Sequence, residues 1–527
     1  MSLLTTLGGL LLSIQLVVLL FKYIQRRRWD VNKLPSPSSK HASWIWGHEL
    51  AIFKHEACEM YGSWAALLGS VYRVQAAMFQ PDIVVVADNA AASHIFQNPY
   101  NYVKAPAFLP IVDKLLGRGI VWAEGDEHKH QRRLLAPAFT INAVKGMADD
   151  IFECADKLAG RLRARVSQGG NIQSVLNIVP YTSSCTLDMV GRIAFGHDFG
   201  AGESVEAKEI GASWHQDVML GHSFGGFLAP IIINFLPWIP RLPVKALQTD
   251  GVAKQIAKRL AGRILDENRV GSHSQGRDIL SLLMEDNRKK ATGEAKLTDE
   301  QLLDNVSTFI MVGHETTAAT VNFTLLQLSR NPEAQRKLRA ELNSTKEALD
   351  YDSINKLTYL DAVAREGLRL HPAAPRTERV AVRDDVIPLS APIKTPGGET
   401  LTSLPVKAGQ VFHIPFTVLN TNYRVWGRDA HMFKPERWLE ADGVPQQSEL
   451  PRGPWVGVST FCDGPRSCIG WRLGLIELKV LIATLVRNFE FQSTDADIKQ
   501  FISPTLQPFV GDEGGVMPMR LSLVPEL

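Results

Sequence analysis

The sequence predicts a mainly α-helical protein with small β-sheets, preceded by a single N-terminal transmembrane helix. Three observations lead there: a charge-free apolar run near the start, a helical pattern of about 32 residues in the second half, and strand signals that are few and short. The chain has 527 residues, with 57 Lys and Arg against 55 Asp and Glu. At about 150 residues per domain, length alone would allow roughly three or four domains. A formal net charge of +2, with no basic stripe carrying interleaved aromatics, argues against nucleic acid as a partner. A hydrophobic fraction of 45% excludes disordered and collagen-like classes. The five cysteines, Cys58, Cys154, Cys185, Cys462 and Cys468, are too few and too scattered for a disulfide framework. Their odd number points to a reducing compartment with one thiol kept for chemistry.

The first element runs from Leu3 to Phe21 without a charge and is rich in Leu, Ile and Val. It spans about 29 Å as a helix, close to the hydrocarbon thickness of a bilayer. Lys22, Arg26, Arg27, Arg28 and Trp29 form a stop-transfer flank after it. A cleaved signal peptide would carry its positive charges ahead of the apolar run, and a transit peptide would be amphipathic. The reading is therefore a membrane anchor with its basic flank over residues 1–28, and the positive flank places the chain beyond Arg28 in the cytosol. Residues 29–40, with Leu34-Pro35-Ser36-Pro37, read as a stiff linker away from the membrane. Nothing breaks the chain beyond it, so 41–527 is expected to form one catalytic domain.

Strands are expected at Val71–Gln75, Ile83–Ala87 and near Gln410–His413. The long helix begins after Thr298, with Asp299 and Glu300 in its first turn and Gln301 completing a capping box, and stops before Asn331-Pro332. At about 48 Å, apolar on most faces, it must cross the interior of a large domain. Inside it lies Val312-Gly313-His314-Glu315-Thr316-Thr317, where a carboxylate and two hydroxyls are costly to bury. The plain alternative is a threonine bonding back to a carbonyl of its own helix.

Phe461-Cys462-Asp463-Gly464-Pro465-Arg466-Ser467-Cys468-Ile469-Gly470 precedes an amphipathic helix at roughly Trp471 to Asn488. Glycines permit a tight turn and close approach to a flat partner. A helix start beyond Cys468 favours a thiolate, and Arg466 suits a carboxylate. An inert cysteine beside a helix N-terminus is the alternative. Zinc fits poorly, because no paired Cys or His set accompanies Cys462 and Cys468.

This loop resembles the F-x-x-G-x-R-x-C-x-G haem-binding loop of the cytochromes P450, and the resemblance extends over essentially the whole chain. It implies the cytochrome P450 fold, a haem b (iron protoporphyrin IX) cofactor, Cys468 as axial iron ligand and Arg466 on a haem propionate, with Cys462 a bystander. Glu366 and Arg369, within Tyr359–Pro372, resemble the family's E-x-x-R pair, and Pro435-Glu436-Arg437-Trp438 its PERF segment with Trp for Phe. Glu366, Arg369 and Arg437 are then expected to form a buried ion network. The VGHETT stretch resembles the oxygen-activation motif, in which the helix opens locally and Glu315 and Thr316 deliver protons. Val312 departs from the small residue usual there. His128 and Arg132, one turn apart, resemble the W-x-x-x-R helix with His for Trp, and Arg376 matches a further propionate position.

The resemblance implies a monooxygenase of the endoplasmic reticulum membrane acting on a lipophilic small molecule, with a terpenoid or other secondary metabolite ahead of a fatty acid or xenobiotic. With no G-x-G-x-x-G and no P-loop, electrons are expected from a separate NADPH-cytochrome P450 reductase, or cytochrome b5, docking near Arg452, Arg472 and Lys479. A non-catalytic haem-thiolate protein would need neither Glu315 nor Thr316. Phe108–Val112 falls at the family's substrate-contacting loop, and Phe224–Pro240 is apolar enough for a second bilayer contact. Gly221-His222-Ser223-Phe224-Gly225 imitates a serine nucleophile elbow, but broken apolar loop is expected after it instead of a helix.

Overall fold

The computed structural model describes residues 30–524 except 169–172, 243, 245–249, 270–277, 290–295, 346–347, 447–448 and 456. The expected anchor at 1–28 lies outside the described residues. Among those described, no single helix is long and apolar enough to cross a membrane. The described chain is mainly helical with small sheets. It divides into two compact units, Met1–Ala105 with Arg376–Leu419, and Pro106–Pro375 with Asn420–Leu527, where the sequence reading has one domain over 41–527. The division is a matter of topology: the chain leaves the first unit at Ala105 and returns at Arg376 to complete its sheet.

In the first unit, β1 (Val71–Val74) pairs antiparallel with β2 (Ile83–Val86), which runs parallel to β8 (Val411–Pro415). The sheet continues through β5 (Arg376–Ala381) to β3 (Tyr102–Val103). All four residues of β2 are buried, as a run of β-branched side chains demands. Helix α1 (Glu59–Leu68) buries Tyr61 and Trp64 against Tyr72, Val74, Ile83 and Val85. A hairpin of β6 (Asp385–Lys394) and β7 (Thr400–Val406) has no counterpart in the sequence reading. Pro388 and Pro392 hid it, because proline argues against a strand except at an edge or bulge, and the register shifts between Pro388 and Ile393.

The proline-containing segment is docked over its described part. Arg73 of β1 donates its backbone N–H to the Pro35 carbonyl at 2.9 Å and its Nε–H to the Leu34 carbonyl at 3.3 Å. Leu34 is buried. A proline has no N–H but keeps a carbonyl, and the β1 edge satisfies it.

The second unit is helical around α10 (Asp299–Arg330), whose Thr298 capping box forms as expected. Packed against it are α6 (Val179–Phe195), α9 (Val252–Arg269), α11 (Pro332–Ser344), α12 (Thr358–Leu370) and α13 (Trp471–Asn488). Other helices are α2 (Asn89–Gln97) in the first unit and, in the second, α3 (Phe108–Leu115), α4 (Gly125–Leu135), α5 (Ala148–Val166), α7 (Val205–His222) and α8 (Phe224–Phe235). Two three-stranded sheets complete this unit: β4 (Gln173–Asn177), β13 (Pro518–Leu523) and β9 (Phe489–Ser493), and β10 (Ile498–Ile502), β11 (Leu506–Val510) and β12 (Glu513–Gly514).

The stretch after Ser223 corrects the expectation of a loop. It is helical despite Pro230, because burial of Phe227 and Ile231 outweighs local propensity. Ser223 joins two helices bent by 72°, accepting the Gly226 N–H at 3.1 Å and donating to the Leu220 carbonyl at 2.6 Å. It is a helix cap with both hydroxyl functions used, and a Cβ on Gly226 would fall 2.4 Å from the Leu220 oxygen. The glycine this bend requires is Gly226, one residue beyond the Gly221–Gly225 stretch that imitates a nucleophile elbow.

A Cβ on Gly367 of α12 would fall 2.2 Å from Thr324 Oγ1 of α10. Gly367→Ala is expected to lower stability by about 1–3 kcal/mol in urea unfolding. Adding Thr324→Ala should restore most of it, since the two sites share one contact. A neutral single variant would show that the crossing tolerates a methyl group.

Candidate active site

Cys468 sits at the end of a loop that the chain closes on itself. Its N–H donates to the Phe461 carbonyl at 2.8 Å, and the Cys462 N–H donates to the Ser459 carbonyl at 2.8 Å. Gly464 supplies the turn at φ +70, with Asp463 accepting its N–H at 2.6 Å. Cys462 takes a left-handed φ of +60, uncommon for a residue with a side chain. Gly470 ends the loop at φ −89, and a Cβ there would make only ordinary contact with Phe139, so the protein alone does not demand glycine.

The Cys468 side chain is exposed by area, yet surrounding protein is dense enough that burial pushes its thiol pKa up. The sulfur thus opens on a recess. The Gly470 N–H and the Arg132 charge oppose burial. Arg132, from α4, donates to the Ser467 carbonyl at 2.5 Å and approaches Ser467 Oγ at 3.4 Å. His128 lies one turn earlier on α4 and is buried. Arg466 donates to the Ala123 carbonyl at 3.0 Å and pairs with Glu124. This donor set fits a haem: a soft sulfur whose anion a cation would stabilise, and guanidinium groups for carboxylates.

Behind the loop, Glu366 of α12 is fully buried and accepts five donors. Arg369 Nε reaches Oε2 and an Arg369 terminal nitrogen reaches Oε1, both at 2.8 Å. The Lys434 N–H at 2.9 Å and Arg437 Nε at 3.0 Å add to Oε1, and Trp438 Nε1 at 3.0 Å adds to Oε2. Arg369 uses its other N–H groups on the carbonyls of Asn420, Ala430 and Met432. Asn420 in turn accepts the Ser459 N–H at 2.7 Å, and Thr460 Oγ1 donates to the Leu368 carbonyl at 2.6 Å. A continuous path of bonds therefore runs from Glu366 to the segment that receives the Cys468 N–H.

On α10 the helix is unbroken where the motif implies an opening. Thr316 Oγ1 donates to the Val312 carbonyl at 2.7 Å, the alternative that any threonine in a helix offers. Val312, Gly313 and Thr316 are half-buried and form one stripe, whereas Glu315 is buried away from it, accepting Gln507 Nε2 at 3.2 Å and facing His314 Nε2 at 3.4 Å. A Cβ on Gly313 would lie 2.7 Å from a Val190 methyl, so α6 requires glycine there.

Arg376 belongs to the first unit, apart from the others. It donates to Tyr61 Oη at 2.6 Å and pairs with Glu378 at 3.2 Å, and Tyr61 Oη lies 2.7 Å from His413 Nδ1. Burial pushes His413 down to about 4. Three participants were not assigned from sequence: Trp438, whose indole N–H reaches Glu366; Asn420; and Glu477 of α13. Glu477 accepts Thr317 Oγ1 at 2.9 Å, and burial pushes it up to about 8. An acid inside Leu473–Val486 was its only sequence sign. Lys479, expected on a docking face, is buried against Asp361 at 2.8 Å and leaves that role.

Arg369→Leu should strand a buried carboxylate, cost about 3–5 kcal/mol and prevent stable folding. Trp438→Phe removes one donor and should cost about 1 kcal/mol in urea unfolding. Equal losses from the two variants would contradict the pattern of bonds. Glu477 is held protonated in the fold but ionises near its ordinary value once unfolded, so it lowers stability progressively between about pH 4.5 and 8. Glu477→Gln should therefore gain stability over the native chain as pH rises through that window, by at most about 5 kcal/mol, and level off above it. A pH-independent difference would mean that Glu477 ionises normally.

The sequence model of the cytochrome P450 family matches residues 37–510. The chain is 31% identical over 506 residues to cytochrome P450 monooxygenase 205 of Postia placenta, covering 93% of this chain and 92% of that protein. It is 29% identical over 527 residues to cytochrome P450 monooxygenase claP of Ampulloclitocybe clavipes, covering 96% of each. Cytochrome P450 monooxygenase 128 of Postia placenta is 30% identical over 508 residues, with 92% and 91% covered. With its cysteine loop, its buried Glu366–Arg369–Arg437 network and a family match over most of its length, the chain belongs to the cytochrome P450 family and is a haem-thiolate monooxygenase.

Proposed function

We propose that this monooxygenase holds haem b through Cys468 and hydroxylates or epoxidises a lipophilic small molecule, with a terpenoid or other secondary metabolite as the substrate class and a fatty acid or xenobiotic as the alternative. The observation that carries the reading is the Cys468 loop, tied by hydrogen bonds to the buried Glu366 network and flanked by Arg132. When bound, the haem supplies reductive cleavage of dioxygen and transfer of one oxygen atom to a C–H or C=C bond.

The chain's own residues have distinct tasks in this scheme. The Gly470 N–H and the Arg132 guanidinium hold negative charge at the Cys468 sulfur. Arg132, Arg466 and His128 would donate to haem propionates, the role that the family resemblance also gives Arg376. Glu315 and Thr316 deliver the proton, and Thr316 Oγ1 must release its bond to the Val312 carbonyl to take part. The intact acid–hydroxyl pair in an apolar helix favours catalysis over a non-catalytic haem protein.

Electrons come from a separate NADPH-cytochrome P450 reductase, with cytochrome b5 as a second donor. Arg452 is exposed and Arg472 stacks on Trp471 at 4.3 Å, and both remain candidates for its acidic surface. Residues 1–28 anchor the protein in the endoplasmic reticulum membrane with its catalytic domain in the cytosol. Half-exposed apolar α8, with Phe224 and Trp238 exposed, supplies a second lipid contact. Near it, the Ala107 N–H donates to Asn234 Oδ1 at 3.0 Å, and Lys254 of α9 pairs with Asp113 of α3 at 3.3 Å, fixing the segment expected to meet substrate.

In the reduced, carbon-monoxide-bound spectrum, a red-shifted thiolate Soret band should survive Cys462→Ala and vanish in Cys468→Ala. An unchanged band in the Cys468 variant would sink the assignment. Thr316→Ala should cut product formed per NADPH consumed about tenfold. Equal coupling would remove Thr316 from the proton relay.

A further inference from the structure

Glu315 does not stand alone on its helix. His314 Nδ1 lies 2.6 Å from the Ile310 carbonyl oxygen. A carbonyl only accepts, so Nδ1 carries the hydrogen and Nε2 is left to face Glu315 Oε1 at 3.4 Å. The other carboxyl oxygen, Oε2, accepts Gln507 Nε2–H at 3.2 Å, and Gln507 is steadied by a bond to Thr505 Oγ1 at 2.9 Å. With Oε2 committed as an acceptor, a proton on this carboxyl sits on Oε1, toward the imidazole. The Trp214 ring of α7 meets the imidazole edge-on at 5.9 Å, and the His314 and Glu315 side chains are only 3% and 6% exposed.

Several charged groups on the elements packed against α10 have partners of their own. Lys258 of α9 is on Asp304, Glu477 of α13 takes Thr317, and Glu366 and Arg369 of α12 hold each other. Asp188 of α6 accepts the Ala201 N–H, and Arg339 of α11 bonds the Val486 and Phe489 carbonyls. Glu490 of β9 bonds Gln492, while Trp214 and Gln507 do not titrate. His215 and Asp217 flank Trp214 in α7, and the bonds described for the pair do not include them.

We propose that Glu315 and His314 share one proton between Oε1 and Nε2, and that His314 is the positioning residue that orients the Glu315 carboxyl for delivery toward Thr316. The inference rests on the monooxygenase reading above. Movement of the proton between Oε1 and Nε2 leaves the pair neutral as a whole. Departure of the proton toward Thr316 leaves a carboxylate beside a neutral imidazole, one negative charge that a proton from water cancels.

Two measurements test this on the holoenzyme. In ¹⁵N-histidine NMR of the ferrous, carbon-monoxide-bound protein, with His314 identified by difference against His314→Gln, the ring should be protonated at Nδ1 and its titration should move in Glu315→Gln. A His314 titration indifferent to Glu315→Gln overturns the pairing. In turnover, His314→Ala and His314→Gln should each lower product per NADPH about tenfold with the Soret band intact, and should add little to the effect of Glu315→Gln. If Thr316→Ala uncouples while both His314 variants stay coupled, the pairing falls and the relay stands. If Thr316→Ala is coupled as well, both fall.

Discussion

One buried carboxylate organises the larger unit. Glu366 gives up water entirely, which would be prohibitive if any of its lone pairs were left over. Five donors from Arg369, Lys434, Arg437 and Trp438 remove that cost, and each arrives from a defined place in the chain. Arg369 then has three N–H groups to satisfy and collects the carbonyls of Asn420, in the short helix Phe416–Thr421, and of Ala430 and Met432, which lie outside helices and strands. The stretch between β8 and the cysteine loop, which holds only short helices at Phe416–Thr421, Tyr423–Trp426 and Pro435–Trp438 among its described residues, is thereby held by side-chain charge. The cysteine loop inherits its position through Asn420, Ser459 and Thr460.

The central helix solves a different problem. It carries hydroxyls, amides and acids through a hydrophobic interior, and most are satisfied within the helix or by a single neighbour. Thr308, Thr316, Thr320 and Thr324 bond back to carbonyls four residues earlier, so each buried hydroxyl is neutralised without recruiting a partner. Others reach outward, among them Asn305 to Gln131 and the Ile120 N–H, Asp304 to Lys258, Asn322 to Thr182, Thr317 to Glu477, and Glu315 to Gln507.

The range of each interaction decided whether the sequence disclosed it. The Thr298 capping box and the helix Trp471–Asn488 are local patterns and form within the limits expected. Glu366, Arg369 and Arg437 were found through motifs, not periodicity, since nothing at spacing three distinguishes a buried pair from a surface one. Trp438 was visible as a departure from the family's phenylalanine, but its N–H acquires meaning only once Glu366 is opposite it. Asn420 had no sequence sign at all, because its partners Arg369, Ser459 and Thr460 lie dozens of residues away in the chain. The helix after Ser223 was missed for the opposite reason: Gly225, Gly226 and Pro230 speak locally for a break, and burial of two side chains overrules them.

The docked proline segment adds a mechanical consequence. Arg73 holds the Leu34 and Pro35 carbonyls on the outer edge of β1, so a pull along the N-terminal chain meets these two hydrogen bonds at the sheet edge. The sheet edge works as a strain relief, stopping tension that arises upstream at β1 before it reaches the interior of the sheet.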